Sequence, residues 1–319
     1  MTTNIRAILV CLLAYLCFDL MSVHVRILSV RYSPQELSVY RNVLGVLPSI
    51  LLLIYTRELS FDIKDYKIKK WKLAFGRGLL VALAQLLFYT ALADLELATV
   101  SALGQTNTIF IVLIAVIFYG EKVGAWRWSA VIIGFGGAVW IMQPGSNMFT
   151  WTAALPIGAA FCYAVSMVTL RSFDVSISSA IIYLYSSVAA ALGAILLATG
   201  TTDFSPIQSM SDALLILSMS LCGGFGVVFL MYAFRQAPAS VLAPFSYFGI
   251  LTAFGLGWIV FDELPLDKLF PGVILIILSS RQRIVNPERI INITPGNNLS
   301  KGSSSKTIQP KPNAVKIPK

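Results

Sequence analysis

The stretch LATVSALGQTNTIFIVLIAVIFYGEKV (97–123) realigns without a gap on ASVLAPFSYFGILTAFGLGWIVFDELP (239–265), which sets Glu121 on Glu263, 142 residues further on. The same offset sets Ala91 on Ala233 and Val131 on Val273. Each copy holds matching apolar runs around one acidic turn. Self-similarity at a fixed offset marks a duplicated structural unit.

Working outward, ten apolar runs can be marked: 6–28, 36–56, 73–93, 97–119, 126–143, 151–171, 177–199, 211–234, 239–261 and 268–281. A helix needs roughly 20 apolar residues to cross a bilayer, and lipid offers an open backbone no hydrogen-bond partners. With 57% hydrophobic residues, 12% charged residues and a mean hydropathy of +0.78, the chain falls in the multi-spanning class and not among soluble globular domains. The expected fold is therefore all-α and polytopic, with ten transmembrane helices. The first run carries Asp19 and no small-x-small cleavage site follows, so it reads as an uncleaved helix. Cys11, Cys17, Cys162 and Cys222 all fall inside runs, lack metal-ligand spacing and read as buried thiols.

Orientation follows from the basic residues of the short loops. TRELSFDIKDYKIKKWK (56–72) is the most basic; Lys122, Arg127, Arg171, Arg235 and the tail share its side, whereas the opposite loops carry little beyond Arg31 and Lys268. Both termini are expected in the cytoplasm of an inner (plasma) membrane protein. Five runs per half make the second copy enter the membrane in the opposite sense. The units are 1–146, 147–283 and a tail, 284–319, whose Pro, Ser, Asn, Gly and Lys read as disordered. Under the offset the tenth run is truncated by Arg281 and Arg283, which leaves a short tenth helix of about 20 Å against a core of about 30 Å. Inverted repeats of this kind are a transporter signature, because two like halves can exchange conformations around a midplane site.

These features resemble the drug/metabolite transporter superfamily in its ten-helix EamA-like branch. The resemblance is carried by the duplicated five-helix unit, the Gly120-Glu121 and Asp262-Glu263 helix endings, Pro244 in ASVLAP (239–244), and Arg41 following Ser33-Pro34. It covers about residues 6–280. It implies transport of amino acids, nucleosides, S-adenosylmethionine-like metabolites or drugs. This chain departs from the pattern in Ala102, which stands opposite Pro244, and in the truncated tenth run.

Ionisable groups inside a bilayer cost about 2.5–3.5 kcal/mol each on insertion scales, so each is a candidate. Asp19 shares a helical face with Tyr15, Ser22 and Arg26, and reads as a proton- or cation-binding carboxylate or as a structural partner of Arg41 or Arg26. Arg41 reads as a carboxylate clamp or as half of that pair, and His24 as a proton sensor or an interfacial ring. Arg77 is expected to snorkel at the cytoplasmic end of its helix. The substrate-binding candidates are Gln85, Ser101, Gln105, Thr108, Ser246 and Tyr247. Ser101, Gln105 and Thr108 recur on one helical face, and Gln85, Gln105 and Tyr247 are expected to meet in a central cavity. Glu121 and Glu263 read as gate or helix-end contacts, and Gly223-Gly224 as packing with a possible hinge role.

No G-x-x-x-x-G-K-[ST] loop is present, which disfavours direct ATP drive. One histidine, no H-E-x-x-H and no nucleophile elbow disfavour an enzyme. No metal site or cofactor is expected. The net charge of +9 flanks membrane runs and has no nucleic-acid motif beside it. The expected function is a secondary transporter of a small polar metabolite, with the lipid bilayer and a small-molecule substrate as partners and a homodimer left open. A non-transporting scaffold or sensor of the same fold is the alternative.

Overall fold

Helix α1 (Thr3–Leu28) buries Ala7, Cys11, Ala14, Met21, Val25 and Leu28 at three-, four- and seven-residue spacings, and leaves Ile5, Leu9 and Leu13 exposed. The buried stripe is mostly small and sulfur-bearing as far as Met21, with Val25 and Leu28 closing it, while large aliphatics cover the outer face of the N-terminal half. A water-soluble helix has the reverse polarity. The same outward apolar skin continues with Leu192, Ile195 and Leu196, and with Leu251, Trp258 and Ile259, while Asp19, Arg41, Asn42 and Gln85 are buried.

The computed structural model describes residues 3–60, 68–119, 125–142, 150–174, 177–236, 242, 245, 248–263, 271 and 273–274. Among them all regular structure is helical. After α1 come α2 (Pro34–Leu44), α3 (Val46–Tyr55), α4 (Trp71–Asp94), α5 (Leu97–Gly104) and α6 (Asn107–Tyr119). Then follow α7 (Ala125–Met142), α8 (Leu155–Thr169), α9 (Ser179–Ala198), α10 (Met210–Gln236) and α11 (Phe248–Phe261). Seven stretches among the described residues are long and apolar enough to cross a membrane, and α11 is a shorter apolar helix. The chain is a multi-pass membrane protein. One unit runs Met1–Val285; Asn286–Lys319 forms the other. The expected tenth helix falls largely, and the tail wholly, outside the described residues.

Two of the expected spans are broken helices. The second splits at Gly45, and Pro48 three residues later has no N–H to offer the Leu44 carbonyl. The fourth splits at Gln105–Thr106, where the Gln105 N–H is shared between Ser101 O and Ala102 O, both at 3.2 Å, and the Thr106 hydroxyl folds back on Leu103 O at 2.6 Å. At the offset of 142, Thr106 stands opposite Phe248, the first residue of α11.

Packing directions follow from which residues meet. α1 and α10 run antiparallel, with Ala7 beside Ala233 at one end and Met21 beside Gly223 nearer the other. α4 and α8 are also antiparallel: Arg77 meets Ser166, Ala84 clusters with Ala159 and Cys162, and Leu87 lies by Gly158. α4 and α9 are parallel, Ala74 facing Ser186, Gly78 facing Ala189 and Ala82 facing Gly193. Gly78 has no room for a side chain, since a Cβ there would lie 2.6 Å from Ala189 Cβ and 3.0 Å from Ala190 N. Small residues let these two backbones approach closely. α2–α3 runs parallel to α10 through Tyr40–Ser220 and Pro48–Gly224, and antiparallel to α9 through Val39–Ala198 and Ser49–Ser187.

Candidate functional site

Ser33 caps α2, accepting from Glu36 N at 3.2 Å, while the Glu36 carboxylate accepts from Ser33 N at 2.7 Å. This capping box fixes where α2 starts. It thereby sets Arg41 two turns inside, 7% exposed, in the wall between α2, α4 and α10. Arg41 Nη1 donates to Asn42 Oδ1 at 3.2 Å. In the amide orientation that satisfies both ends, Gln85 accepts from Arg41 Nη1 at 2.7 Å and donates to Asn42 Oδ1 at 2.8 Å. The Tyr89 hydroxyl is within hydrogen-bond reach of the guanidinium and also contacts Met21 Sδ at 3.4 Å. Tyr163 from α8 reaches Gln85, and Tyr183 from α9, whose hydroxyl donates to Gly224 O at 3.4 Å, lies within the field of the same cation.

Gly223 completes this pocket. A Cβ there would lie 2.9 Å from Arg41 Nε and 2.6 Å from Met21 Sδ, so the guanidinium occupies the place of a missing side chain. Gly223 therefore packs closely against its neighbours. Arg77, two turns before Gln85 on α4, turns inward instead of snorkelling. Its Nε donates to Ser166 O at 2.7 Å and its Nη1 to Ser186 Oγ at 3.0 Å. The α8 and α9 backbones approach α4 closely enough there to supply acceptors that the sequence alone did not disclose.

Asp19 faces a different interface. Its carboxylate takes a hydrogen bond from the Thr252 hydroxyl and lies at the first turns of α11. Ser101, on α5, donates to Gly249 O in that same turn at 3.4 Å. Asp19 thus has Thr252 for its partner, and neither Arg41 nor Arg26 forms an ion pair with it among the described residues. Residues 19 and 21 project from opposite sides of α1, which separates the Asp19 cluster from the Arg41 cluster.

At the C-terminal end of α1, Arg26 pairs with Glu263, donates to Leu95 O at 2.6 Å and stands 4.9 Å over the Phe261 ring. Glu263 in turn accepts from Leu97 N at 3.0 Å, an orphan donor at the start of α5. One acidic side chain therefore ties α1, α5 and the end of α11 together. Burial pushes its carboxyl above the usual glutamate range, partly opposed by the Leu97 N–H and the Arg26 charge. Nearby, Arg31 Nη2 lies 2.9 Å from the fully buried Asp212, which also accepts from the Tyr32 hydroxyl at 3.0 Å.

The structure brings Gln85 and Arg41 together, and separately Asp19 and Ser101. Gln105 sits at the helix break, and His24 has a buried Nδ1 without a hydrogen-bond partner among the described residues. Glu121, Ser246 and Tyr247 lie outside the described residues, as does the side chain of Thr108. Sequence reasoning missed Thr252, Asn42, Tyr89, Tyr163 and Asp212. Two of these carried a signal: Tyr89, four residues after Gln85 on the same face, and Asp212, an acidic residue inside the run 211–234.

Residues 5–143 match the model of the EamA-like transporter family. An uncharacterised transporter of Helicobacter pylori is 30% identical over 277 residues, covering 84% of this chain and 91% of that protein. A pseudopaline exporter of Pseudomonas aeruginosa is 25% identical over 273 residues, covering 85% and 93%. A solved crystal structure superposes with a TM-score of 0.61 at 15% identity, covering 88% of this chain and 96% of the other.

Proposed function

Because this chain belongs to the EamA-like transporter family, we propose that it is a secondary transporter that moves a small polar metabolite across the inner membrane by alternating access. Ten spans form two inverted halves, 1–146 and 147–283, with both termini cytoplasmic, a short tenth helix and the tail beyond it. The substrate path lies between the halves. Gln85, Ser101, Gln105, Thr108, Ser246 and Tyr247 contribute to its lining, and Asp19, Arg41 and His24 are its ionisable groups. Glu263 at the outer end and Glu121 at the inner end hold the gates.

One observation supports this reading: three of the packed helix pairs keep their relative direction when the halves are exchanged. Moving each span by five converts the antiparallel pair α1–α10 into α8–α4, which is also antiparallel. The parallel pair α4–α9 becomes α10 with α2–α3, also parallel. The pair α1–α11, parallel through Tyr15–Gly249 and Arg26–Phe261, becomes α8–α6, parallel through Phe161–Phe110 and Val168–Ile114. Two halves of opposite topology with equivalent contacts can trade conformations at little net cost, which is the physical basis of alternating access. The relative named as a pseudopaline exporter makes outward movement of a metabolite one arm of the test. Counterflow in proteoliposomes across a panel of amino acids, nucleosides and sulfonium metabolites, with and without a proton gradient, decides it. Exchange of a panel member supports the transporter; specific binding without exchange favours a scaffold or sensor.

A further inference from the structure

Four arginines among the described residues fall into two kinds. Arg26 and Arg31 each have a carboxylate, Glu263 and Asp212. Arg41 and Arg77 are deeper, and among the described residues neither has one. Their acceptors are neutral: the amide oxygens of Asn42 and Gln85 for Arg41, and Ser166 O and Ser186 Oγ for Arg77. The one acidic side chain near mid-span on α1, Asp19, is held on α11 by Thr252. The missing counter-charge therefore reflects placement and not a lack of acid in the neighbourhood.

A buried charge without an ionic partner is costly in general, and an arriving anion can supply that partner. Resting on the transporter reading above, we propose that Arg41 is the anchor for a carboxylate of the transported substrate. The guanidinium fork matches a carboxylate in shape, and the hydroxyls around it can donate to the lone pairs that the fork leaves free. Tyr89 is placed for this. At Gly223 it is backbone of α10, with no side chain to compete for its N–H groups, that packs against the Nε and Nη2 edge of the guanidinium. Arg77 lies eight residues before Gln85, about 12 Å along α4, as a second positive station on the way to the far end. Together the two cations make this side of the interior favourable to an anion and unfavourable to a free cation.

The test separates a ligand anchor from a structural arginine. Purified full-length protein in detergent is unfolded thermally with citrate, L-glutamate and lactate, with the neutral partners triethyl citrate and lactamide, and with inorganic phosphate. At least one carboxylate is expected to raise the wild-type midpoint by about 2–4 °C, without an equal effect from the neutral compounds or phosphate. Arg41→Gln should unfold at or above the ligand-free wild-type midpoint, because a strained charge has been removed, and should lose the response. Arg41→Lys should keep a reduced response, since an ammonium retains charge but not the fork. No response from any carboxylate, an equal response to the neutral partners or phosphate, or a response that survives Arg41→Gln overturns the assignment. So does a ligand-free Arg41→Gln protein that melts well below wild type. Counterflow run in parallel keeps the two readings apart: exchange of a solute without a carboxylate, unaffected by Arg41→Gln, removes the anchor and leaves the transporter, whereas absence of all exchange with the Arg41-dependent carboxylate response intact removes the transporter and leaves Arg41 as a carboxylate-binding site.

Discussion

The end of the molecule built from Arg26, Arg31, Asp212 and Glu263 and the interior built from Arg41, Arg77 and Asp19 use the same residue types to opposite effect. At the end, every arginine has a carboxylate, and each carboxylate also takes a backbone or tyrosine donor. In the interior, the acid and the bases are kept on different faces and satisfied by neutral groups. Paired charges lock a conformation. Separated charges keep field and hydrogen-bonding capacity available to something that arrives.

If the end is a lock, its charges should be costly to remove. The largest loss is expected for Asp212→Ala, which leaves the Tyr32 hydroxyl and Arg31 without their acceptor: about 3 kcal/mol, toward the low end for a broken buried pair because Arg31 is partly solvated. Thermal unfolding in detergent reads it. Glu263→Gln comes next, at about 1–2 kcal/mol for the lost charge-assisted contacts with Arg26 and Leu97 N. It should also act on gating. The wild-type ion pair is complete above the raised Glu263 pKa and is lost as pH falls through it, so labelling at the C-terminal end of α11 should increase on acidification in wild type and be pH-independent in Glu263→Gln. Equal pH dependence in both proteins would break the contrast.

Interior changes should cost less stability and more function. Gly223→Ala forces its Cβ toward Met21 Sδ and Arg41 Nε, both on side chains that can shift, so about 1 kcal/mol is expected together with a weakened carboxylate response. Asp19→Asn keeps a hydrogen-bonding partner for Thr252 and should alter stability by no more than about 0.5 kcal/mol. If Asp19 carries a coupled proton, that variant loses pH-dependent accumulation but retains exchange. A fall in stability as large as that of Glu263→Gln would show that Asp19 belongs with the locking charges.

The helices were legible because hydropathy alone decides which runs can live in lipid, and α1 to α10 lie where the runs predict them. The break at Gln105–Thr106 was not, since no proline or glycine stands at the break itself to announce it; Gly104 ends α5 one residue earlier. The sequence also suggested that Asp19 would seek Arg26 or Arg41, because opposite charges on neighbouring spans attract. Packing overrode that: α11 places Thr252 against Asp19, and the Arg26 side chain, two turns further along, reaches Glu263 first. Pairing across helices depends on rotation and depth, and a one-dimensional pattern carries neither. Glu263 was marked as a helix-end contact from its repeat alone, but the Leu97 N–H it caps lies 166 residues away and only the folded chain brings it near.

Sided cysteine labelling tests the inverted arrangement most directly. In sealed cells, with Cys11, Cys17, Cys162 and Cys222 replaced, single cysteines at Lys122 and Asp262 flank the repeat-related Glu121 and Glu263 without removing either. Two inverted halves require a membrane-impermeant maleimide to label position 262 from outside, and position 122 only after the membrane is opened. Labelling of both positions from the same side would contradict the inverted repeat and the alternating-access mechanism built on it.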